Sequence, residues 1–339
     1  MTAARISPGA ILGRHDGLQP TNIARDLYQI ARLVELSFAE QLDDSGRAAV
    51  REMKALGSLG PLLLPLAVLD WLGAGISMGY VWRARGRVVG NVNIYPGGLH
   101  PDLGRGWLVA NVAVHPDYRR RGIARQLMDA ALAEIRRRHV QWVSLQVEVD
   151  NNAARNLYLS MGFEEFETLA QWQMSGLRVM PELKTAEAYG IRPRARKDYA
   201  READLIFRRA RRGGMAWTRT LSSNDLRTLA ALHQISGALE GRVEYWVQPE
   251  LTQPDRLIAA AWLEHAGWRR TRITLFTDPH LELADYRLAM LRTLLSRPVM
   301  AQRIIRLETT AGDPAQDALL HEAGFYLTRQ LVQMRLILR

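Results

Sequence analysis

Hydrophobic positions along the chain follow two periods, one typical of helices and one typical of strands. One helical face of residues 25–40 is formed by five apolar side chains, Leu27, Ile30, Leu33, Val34 and Phe38. The same pattern predicts further helices at 48–56, 122–138 and 152–161, and strands at 80–85, 87–95, 106–114, 142–149 and 165–175. This order predicts an α/β (α+β) fold in which a mixed, mostly antiparallel twisted sheet is flanked by helices.

The turn at residues 115–124 joins one of these strands to a helix and carries the strongest chemical signal. Val112 and Val114 alternate as in a strand, a His-Pro-Asp segment interrupts it, and three arginines lead into Gly122. A glycine turn before a helix directs several backbone N–H groups and the positive end of the helix dipole at one point, which suits a phosphate. The sequence therefore predicts a site for a phosphate-bearing ligand here.

A second pattern follows about 30 residues later, at 143–163. It consists of a strand, a short helix and a Gly-Phe pair, and its matching positions are Asn151, Ala154, Tyr158, Gly162 and Phe163. The spacing Asn-x-x-Ala-x-x-x-Tyr, together with the upstream turn (Arg/Gln)-x-x-Gly-x-(Gly/Ala), resembles the acetyl-CoA-binding core of the GNAT superfamily of N-acyltransferases. The resemblance covers residues 20–175, about half of the chain.

This resemblance implies a co-substrate and a set of residues that bind it. The backbone of Val112, Ala113 and Val114 is expected to pair with the pantetheine arm of acetyl-CoA as an added strand would. The pyrophosphate would lie on the turn formed by Arg119, Arg120, Arg121, Gly122, Ile123, Ala124 and Arg125. The acetyl group would pass directly to an amine, and no metal is expected.

Two residues of the second pattern have both a functional and a structural interpretation. The resemblance places the Tyr158 phenol beside the CoA sulfur, where it would protonate the leaving thiolate; alternatively, Tyr158 packs in the core. Asn151 would hydrogen-bond the backbone or the pantetheine, and it is also in position to cap the helix that follows.

The general base is the least certain part of the site. An alkyl amine is mostly protonated at neutral pH, so a base or a water chain to one is needed. Some members of the family carry a glutamate where this chain has Gln146, and Glu148 is on the same strand face two residues on. Glu148 is therefore our first choice. Asn111 cannot act as a base, His115 is a weaker candidate in the turn, and a water-mediated route stays open.

The second half of the chain repeats the first at a shift of 162 residues. Residues 143–163 fall on 305–325, with Gly162-Phe163 on Gly324-Phe325. Repeats of so long a period indicate duplicated domains. We therefore predict a GNAT domain at 1–178, a charged linker or helix at 179–214, and a GNAT-like domain at 215–339; a first strand of the second domain near Ile191 stays open.

The second copy departs from the pattern at the chemically important positions. Arg121, Gly122 and Ala124 become Ala284, Asp285 and Arg287, and Tyr158 becomes Leu320. An aspartate would repel a pyrophosphate, and the turn loses its glycine. The chain resembles tandem GNAT proteins with one degenerate copy. We expect the N-terminal copy to be active and to bind one acetyl-CoA, and the second copy to stabilise it, with its strands beside the first copy's open edge.

Composition limits the kinds of site and the class of protein further. The 339 residues are 47% hydrophobic and contain no cysteine, which excludes disulfides, thiolate metal sites and a cysteine nucleophile. The formal net charge is +10, and nine basic against three acidic residues lie in 191–212. We interpret that stretch as a solvated helix. Docking of an acidic surface or of nucleic acid is the alternative, although the sequence has no recognised nucleic-acid motif, and CoA phosphate contacts or an interdomain interface stay open. The N-terminus lacks the apolar core of a signal peptide, so a cytoplasmic protein is expected.

The apolar run 60–79 is interrupted by two prolines and an aspartate. It predicts a core or interface helix, or an apolar acceptor groove, rather than a membrane span. The expected partner is a small-molecule or peptide amine acceptor, without nucleic acid, for a monomer or homodimer. Two functions remain: an acetyl-CoA-dependent N-acetyltransferase, and a non-catalytic acyl-CoA-binding or scaffold protein.

Overall fold

The structure is a computed structural model, and it describes residues 16–39, 44–60, 78–100, 102–175, 189–211, 243–266, 270–278, 284–297, 300 and 303–338. These residues divide into two compact units. The first lies within Met1–Pro96 and Trp107–Val140, and the second within Gly97–Gly106 and Gln141–Arg339. Both combine helices with a mostly antiparallel sheet, so the predicted fold class is confirmed.

The first unit is built on an antiparallel sheet whose strand order follows the sequence. The strands are β1 (Gly17–Pro20), β2 (Met78–Ala84), β3 (Arg87–His100) and β4 (Gly104–Val114), and the helices are α1 (Ile23–Ser37), α2 (Asp44–Ser58) and α3 (Ile123–Arg136). The Asn22 side chain caps α1 by accepting a hydrogen bond from the Arg25 N–H at 3.2 Å. Ile30, Leu33 and Val34 are buried, as their helical spacing predicts.

The second unit holds the rest of the first copy and all described residues of the second. Its strands are β5 (Trp142–Glu148), β6 (Glu164–Ser175), β7 (Arg192–Pro193), β8 (Val243–Pro249), β9 (Leu257–Ala266), β10 (Arg270–Thr277), β11 (Ile304–Thr310) and β12 (Tyr326–Ile337). Its helices are α4 (Asn152–Ser160), α5 (Asp198–Arg211), α6 (Ala284–Leu295) and α7 (Pro314–Glu322). The strand order is β5-β12-β6-β11-β10-β9-β8-β7.

The two copies exchange their last strands. β12, the last strand of the second copy, lies between β5 and β6 and pairs antiparallel with both. β6, the last strand of the first copy, pairs in turn with β11. The expectation that the second copy's strands lie beside an open edge of the first is therefore wrong, because β12 is inserted between two strands of the first copy.

The exchange follows the sequence repeat residue by residue. β11, α7 and β12 each begin and end 162 positions after β5, α4 and β6. Glu148 pairs with Leu331, and the equivalent Thr310 pairs with Leu169. Leu169 and Leu331 are themselves opposite each other, so an approximate two-fold axis relates the copies at this pair.

Residues 191–211 of the charged segment 191–212 are part of the second copy's sheet and core. β7 pairs with β8, and α5 packs on β9 and β10. Leu205 and Ile206 of α5 are fully buried in a cluster with Val247 and Phe276. The prediction of a solvated helix is thus wrong for one face, because apolar residues at helical spacing separate the charges.

The apolar run 60–79 lies almost wholly outside the described residues, of which only Gly60, Met78 and Gly79 belong to it. Its predicted helix and acceptor groove stay predictions. In the part of the chain that is described, we find no helix with the length and hydropathy that a membrane crossing requires.

Candidate active site

The turn before α3 has the backbone of an anion site. Gly122 is the N-cap of α3 and adopts a left-handed φ of +74°. No side chain caps this helix, and its first turn contains no acidic residue. Since the first N–H groups of a helix have no partner within it, the start of α3 offers donors and a positive dipole to an anion. A Cβ on Gly122 would meet only Gln126, at 3.8 Å, so glycine is required here by conformation rather than by crowding.

Two of the predicted arginines hold the turn in shape. Arg119 donates from Nε to the Val114 carbonyl at 3.1 Å. Arg121 donates to the Asp117 carbonyl at 2.7 Å, and its guanidinium lies 5.0 Å from the centre of the Tyr118 ring. These arginines, like Arg120 and Arg125, are exposed and can face a solvent-borne phosphate.

His115 has a structural contact that a base role would disturb. Its Nδ1 accepts a hydrogen bond from the Asp117 N–H at 3.3 Å and caps the short 3-10 turn Pro116–Tyr118. The Asp117 carboxylate lies 3.8 Å from the same nitrogen. The structure therefore engages His115 in shaping the turn.

The β4 backbone is irregular where the pantetheine arm is expected. Asn111 has a left-handed φ of +53°, unusual for a residue with a side chain. Its carbonyl accepts a hydrogen bond from Asn91 Nδ2 at 2.9 Å, and its own Nδ2 donates to Asn93 Oδ1 at 3.2 Å. Beyond it, Ala113 is buried, while Val112 and Val114 are partly exposed.

Asn91 and Asn93 are site residues that the sequence analysis did not single out. Asn91 also donates to Asn93 Oδ1 at 2.9 Å, and both amides are buried. The Asn111 side chain is also hydrogen-bonded to Tyr95, and burial raises the pKa of Tyr95. The available signal was the alternation of Asn91 and Asn93 within an otherwise apolar strand, which puts two amides on one face.

Tyr158 lies on α4 in the second unit and keeps its proton. It is 5% exposed, and its ring centre is 6.0 Å from that of Phe163. Burial raises the pKa of Tyr158 to about 12. No group in the described part of the chain hydrogen-bonds its hydroxyl. The phenol is therefore a neutral proton donor at physiological pH, with its hydrogen uncommitted.

Asn151 caps the helix that carries Tyr158. Its Oδ1 accepts a hydrogen bond from the Ala154 N–H at 3.1 Å. The structural interpretation of Asn151 is thus confirmed, and the contact to pantetheine stays a prediction. Gly162, with a φ of +89°, ends the helix and turns the chain so that the Phe163 N–H reaches the Tyr158 carbonyl at 3.1 Å.

Glu148 forms an ion pair that the sequence analysis did not foresee. Its carboxylate contacts the guanidinium of Arg329, which comes from β12 of the second copy. Gln146 is exposed two residues earlier on β5. The pairing depends on the strand exchange, so no local pattern indicates it.

The second copy keeps the framework of this region with other chemistry. Asp313 caps α7 by accepting from the Gln316 N–H at 3.2 Å, as Asn151 caps α4. The Phe325 N–H reaches the Leu320 carbonyl at 2.8 Å, so a leucine occupies the position of Tyr158. Helix α6 begins at Ala284, which places Asp285 in its first turn. Among the described residues, no cluster of three carboxylate or imidazole groups has the spacing of a metal site.

Comparison with known proteins agrees with the turn and the helix that follows it. The model of the acetyltransferase (GNAT) family matches residues 52–163. This part of the chain is similar to the GNAT acetyltransferase family. N-alpha-acetyltransferase 30 of Saccharomyces cerevisiae is 35% identical over 67 residues, 20% of this chain and 38% of that protein. The ribosomal protein bS18-alanine N-acetyltransferase of Escherichia coli K12 is 44% identical over 55 residues, 16% of this chain and 37% of that protein. The matches thus span less than two fifths of these relatives.

Solved structures extend the GNAT likeness to the whole fold. A GCN5-related N-acetyltransferase from Sphaerobacter thermophilus matches with a TM-score of 0.62 at 14% identity, covering 95% of both chains. A tandem GNAT protein from the clavulanic acid biosynthesis pathway matches with a TM-score of 0.52 at 15% identity, covering 95% of this chain and 98% of that one. At such identities, the likeness concerns the fold alone.

Proposed function

We propose that this protein transfers an acetyl group from acetyl-CoA to a primary amine, and that the first of its two GNAT copies carries the activity. The observation that carries the proposal is the turn at Gly122. It combines an uncapped helix N-terminus with four exposed arginines at positions 119–121 and 125. This arrangement fits the pyrophosphate of acetyl-CoA, which needs both N–H donors and positive charge.

In this proposal β4 and the turn bind the co-substrate. The backbone at Val112, Ala113 and Val114 holds the pantetheine arm, and the helix start at Ile123 and Ala124 takes the pyrophosphate. The left-handed Asn111, held by Asn91 and Asn93, interrupts the regular pleat just before that segment. Such an interruption frees backbone groups that a regular ladder would use, and they become available to a ligand.

Tyr158 is the proposed general acid. The amine nitrogen attacks the thioester carbon and forms the new C–N bond. The C–S bond then breaks, and the thiolate leaves with the electron pair. The Tyr158 hydroxyl gives its proton to that sulfur. The pKa of about 12 means that the phenol is protonated throughout the neutral range, so the donor is always loaded.

Glu148 is the proposed base, and its ion pair with Arg329 bears on this role. A carboxylate at the end of β5 can accept the proton that the attacking amine loses. Within the second unit, Glu148 and Tyr158 follow each other along the strand-to-helix segment, with Asn151 between them. A water chain to Glu148 is an equally direct route for the proton.

The names of the curated relatives suggest a narrower acceptor. Both act on protein amines, one on N-alpha amino groups and one on an alanine of ribosomal protein bS18. We therefore propose a peptide or protein amino terminus as the first acceptor to test. Small amines are the second class of acceptor to test, because Gln146 occupies a position where some members of the family carry a glutamate.

The competing proposal is a protein that binds acyl-CoA without turning it over. Release of CoA from acetyl-CoA in the presence of an amine panel separates the two. The panel contains a tetrapeptide with a free amino terminus, a polyamine, an amino acid and an alkyl amine. Amine-dependent release that Gly122→Asp removes supports the enzyme; binding of acetyl-CoA without release from any amine supports the scaffold.

A further inference from the structure

The end of β5 is the place where the second copy reaches the first copy's proposed chemistry. β12 runs antiparallel to β5, with Leu331 opposite Glu148. Arg329 is two residues from Leu331 and therefore on the same face of the sheet. Its guanidinium contacts the Glu148 carboxylate through Nη2 and Oε1.

The two side chains of this ion pair are partly exposed, so stability alone does not account for it. The Arg329 side chain is 34% exposed and that of Glu148 is 22% exposed. Ion pairs that solvent can reach contribute little to folding. Oε1 of Glu148 itself is buried, so the exposed part of the Glu148 side chain lies elsewhere on it.

The equivalent place in the second copy is occupied differently. Thr310 takes the position of Glu148, and Glu167 takes that of Arg329. The Thr310 hydroxyl donates to Glu167 at 3.1 Å and is also close to Arg209 of α5, which bonds Glu167 at 2.9 Å. At this second place the strand ends in a threonine, and the carboxylate beside it, Glu167, is paired with Arg209. The first copy differs in that the strand end itself carries the carboxylate, Glu148.

We propose that Arg329, supplied by the second copy, is a positioning residue that holds Glu148 for its role as proton acceptor. This inference rests on the proposed function. The guanidinium holds the carboxylate at Oε1 by charge, which leaves Oε2 to receive the amine proton. The first copy's chemistry then depends on a strand of its duplicate.

A double-mutant cycle tests this dependence. CoA release is measured for wild type, Arg329→Gln, Glu148→Gln and the double variant, with the amine of the panel that gives the highest rate. We expect Arg329→Gln to lower kcat about 10–100-fold, the cost of misplacing a reacting group, with the KM for acetyl-CoA unchanged. In the Glu148→Gln background, Arg329→Gln should cost nothing more, since it acts through Glu148. Arg329→Lys should restore part of the rate.

The matched control is Arg335→Gln on the same strand. Arg335 also faces a glutamate, Glu164, at 4.0 Å, away from the end of β5, so its kcat should equal that of wild type. The inference is overturned if the Arg329 and Glu148 effects multiply, or if Arg335→Gln matches Arg329→Gln. It is likewise overturned if Arg329→Gln keeps wild-type kcat. If wild type releases no CoA with any amine, the proposed function itself fails, and this inference with it.

Discussion

Over the described residues, the two copies share most of their strands and helices but differ in chemistry at two places. Before α3, the first copy has a glycine with left-handed φ and no acidic residue in the first helical turn. The second copy has Asp285 in the first turn of α6. The sequence thus puts an acidic residue in the first turn of one helix and none in the first turn of the other.

The second difference concerns the helix after the fifth strand of each copy. Both helices are capped by a side-chain oxygen and end in a glycine with positive φ, Gly162 and Gly324. Only the first carries a phenol, because Leu320 replaces Tyr158. Packing and capping keep the repeat alike, while a few substitutions at helix starts and in one helix separate the chemistry that our proposal assigns to the first copy.

The largest expected effect comes from removing the second copy. Residues 1–190 alone lose β11 and β12, which leaves β5 and β6 with unpaired edges and uncovers the apolar residues that packed there. We expect this fragment to aggregate, as size-exclusion chromatography can show, and co-expression of 191–339 to recover a soluble complex. A monomeric fragment as stable and as active as the full chain would show that the copies are independent.

The next largest effect is that of Gly122→Asp. It brings a like charge to the pyrophosphate and a side chain to a left-handed position, so the affinity for acetyl-CoA should fall about 100-fold or more by calorimetry. Gly312→Asp is the control, because Gly312 has a φ of +89° with open space around it but lies after β11. Equal losses of affinity in the two variants would show that the turn at Gly122 does not bind acetyl-CoA.

Tyr158→Phe should lower kcat by about 10²–10⁴-fold, the usual range for a general acid, with acetyl-CoA affinity almost unchanged. The ring and its contact with Phe163 are kept, and only the hydroxyl is lost. Tyr326→Phe, on an exposed tyrosine of the second copy, should have no effect on the rate. Wild-type turnover in Tyr158→Phe would show that Tyr158 is a packing residue of the core and not the general acid.

The smallest effect is a pH dependence within the second copy. Burial, and then the charge of Arg303, lower the pKa of His265, while Glu244 opposes them. As pH falls below about 6.5, the unfolded chain takes up the proton first, so this histidine's contribution to stability is lost on the acid side. The Tm should fall less between pH 7.5 and 5.5 in His265→Gln than in wild type. Equal falls would exclude His265 as a source.

The sequence predicted most helices and strands, because caps and the spacing of apolar residues determine them locally. The helix after Gly122 follows from a glycine N-cap and an apolar stripe, and the structure has it at Ile123–Arg136. The helix at Ile23–Ser37 likewise follows from its spacing and from the cap at Asn22. The same rules predicted the cap at Asn151.

What the sequence did not predict depends on pairing between distant strands. The position of β12 between β5 and β6 follows from backbone hydrogen bonds, which any residue can make, so no side-chain pattern records it. The contact between Arg329 and Glu148 is a consequence of that register. The buried face of α5 was hidden for another reason, since the basic residues around Leu205 and Ile206 dominate the composition.

The central claim is that one copy of this duplicated fold binds acetyl-CoA and the other does not. Isothermal titration calorimetry of the full chain with acetyl-CoA tests it most directly. The account predicts one site per chain, which Gly122→Asp removes and Gly312→Asp leaves in place. Two equivalent sites per chain, or one site that survives Gly122→Asp with its affinity unchanged, would contradict it.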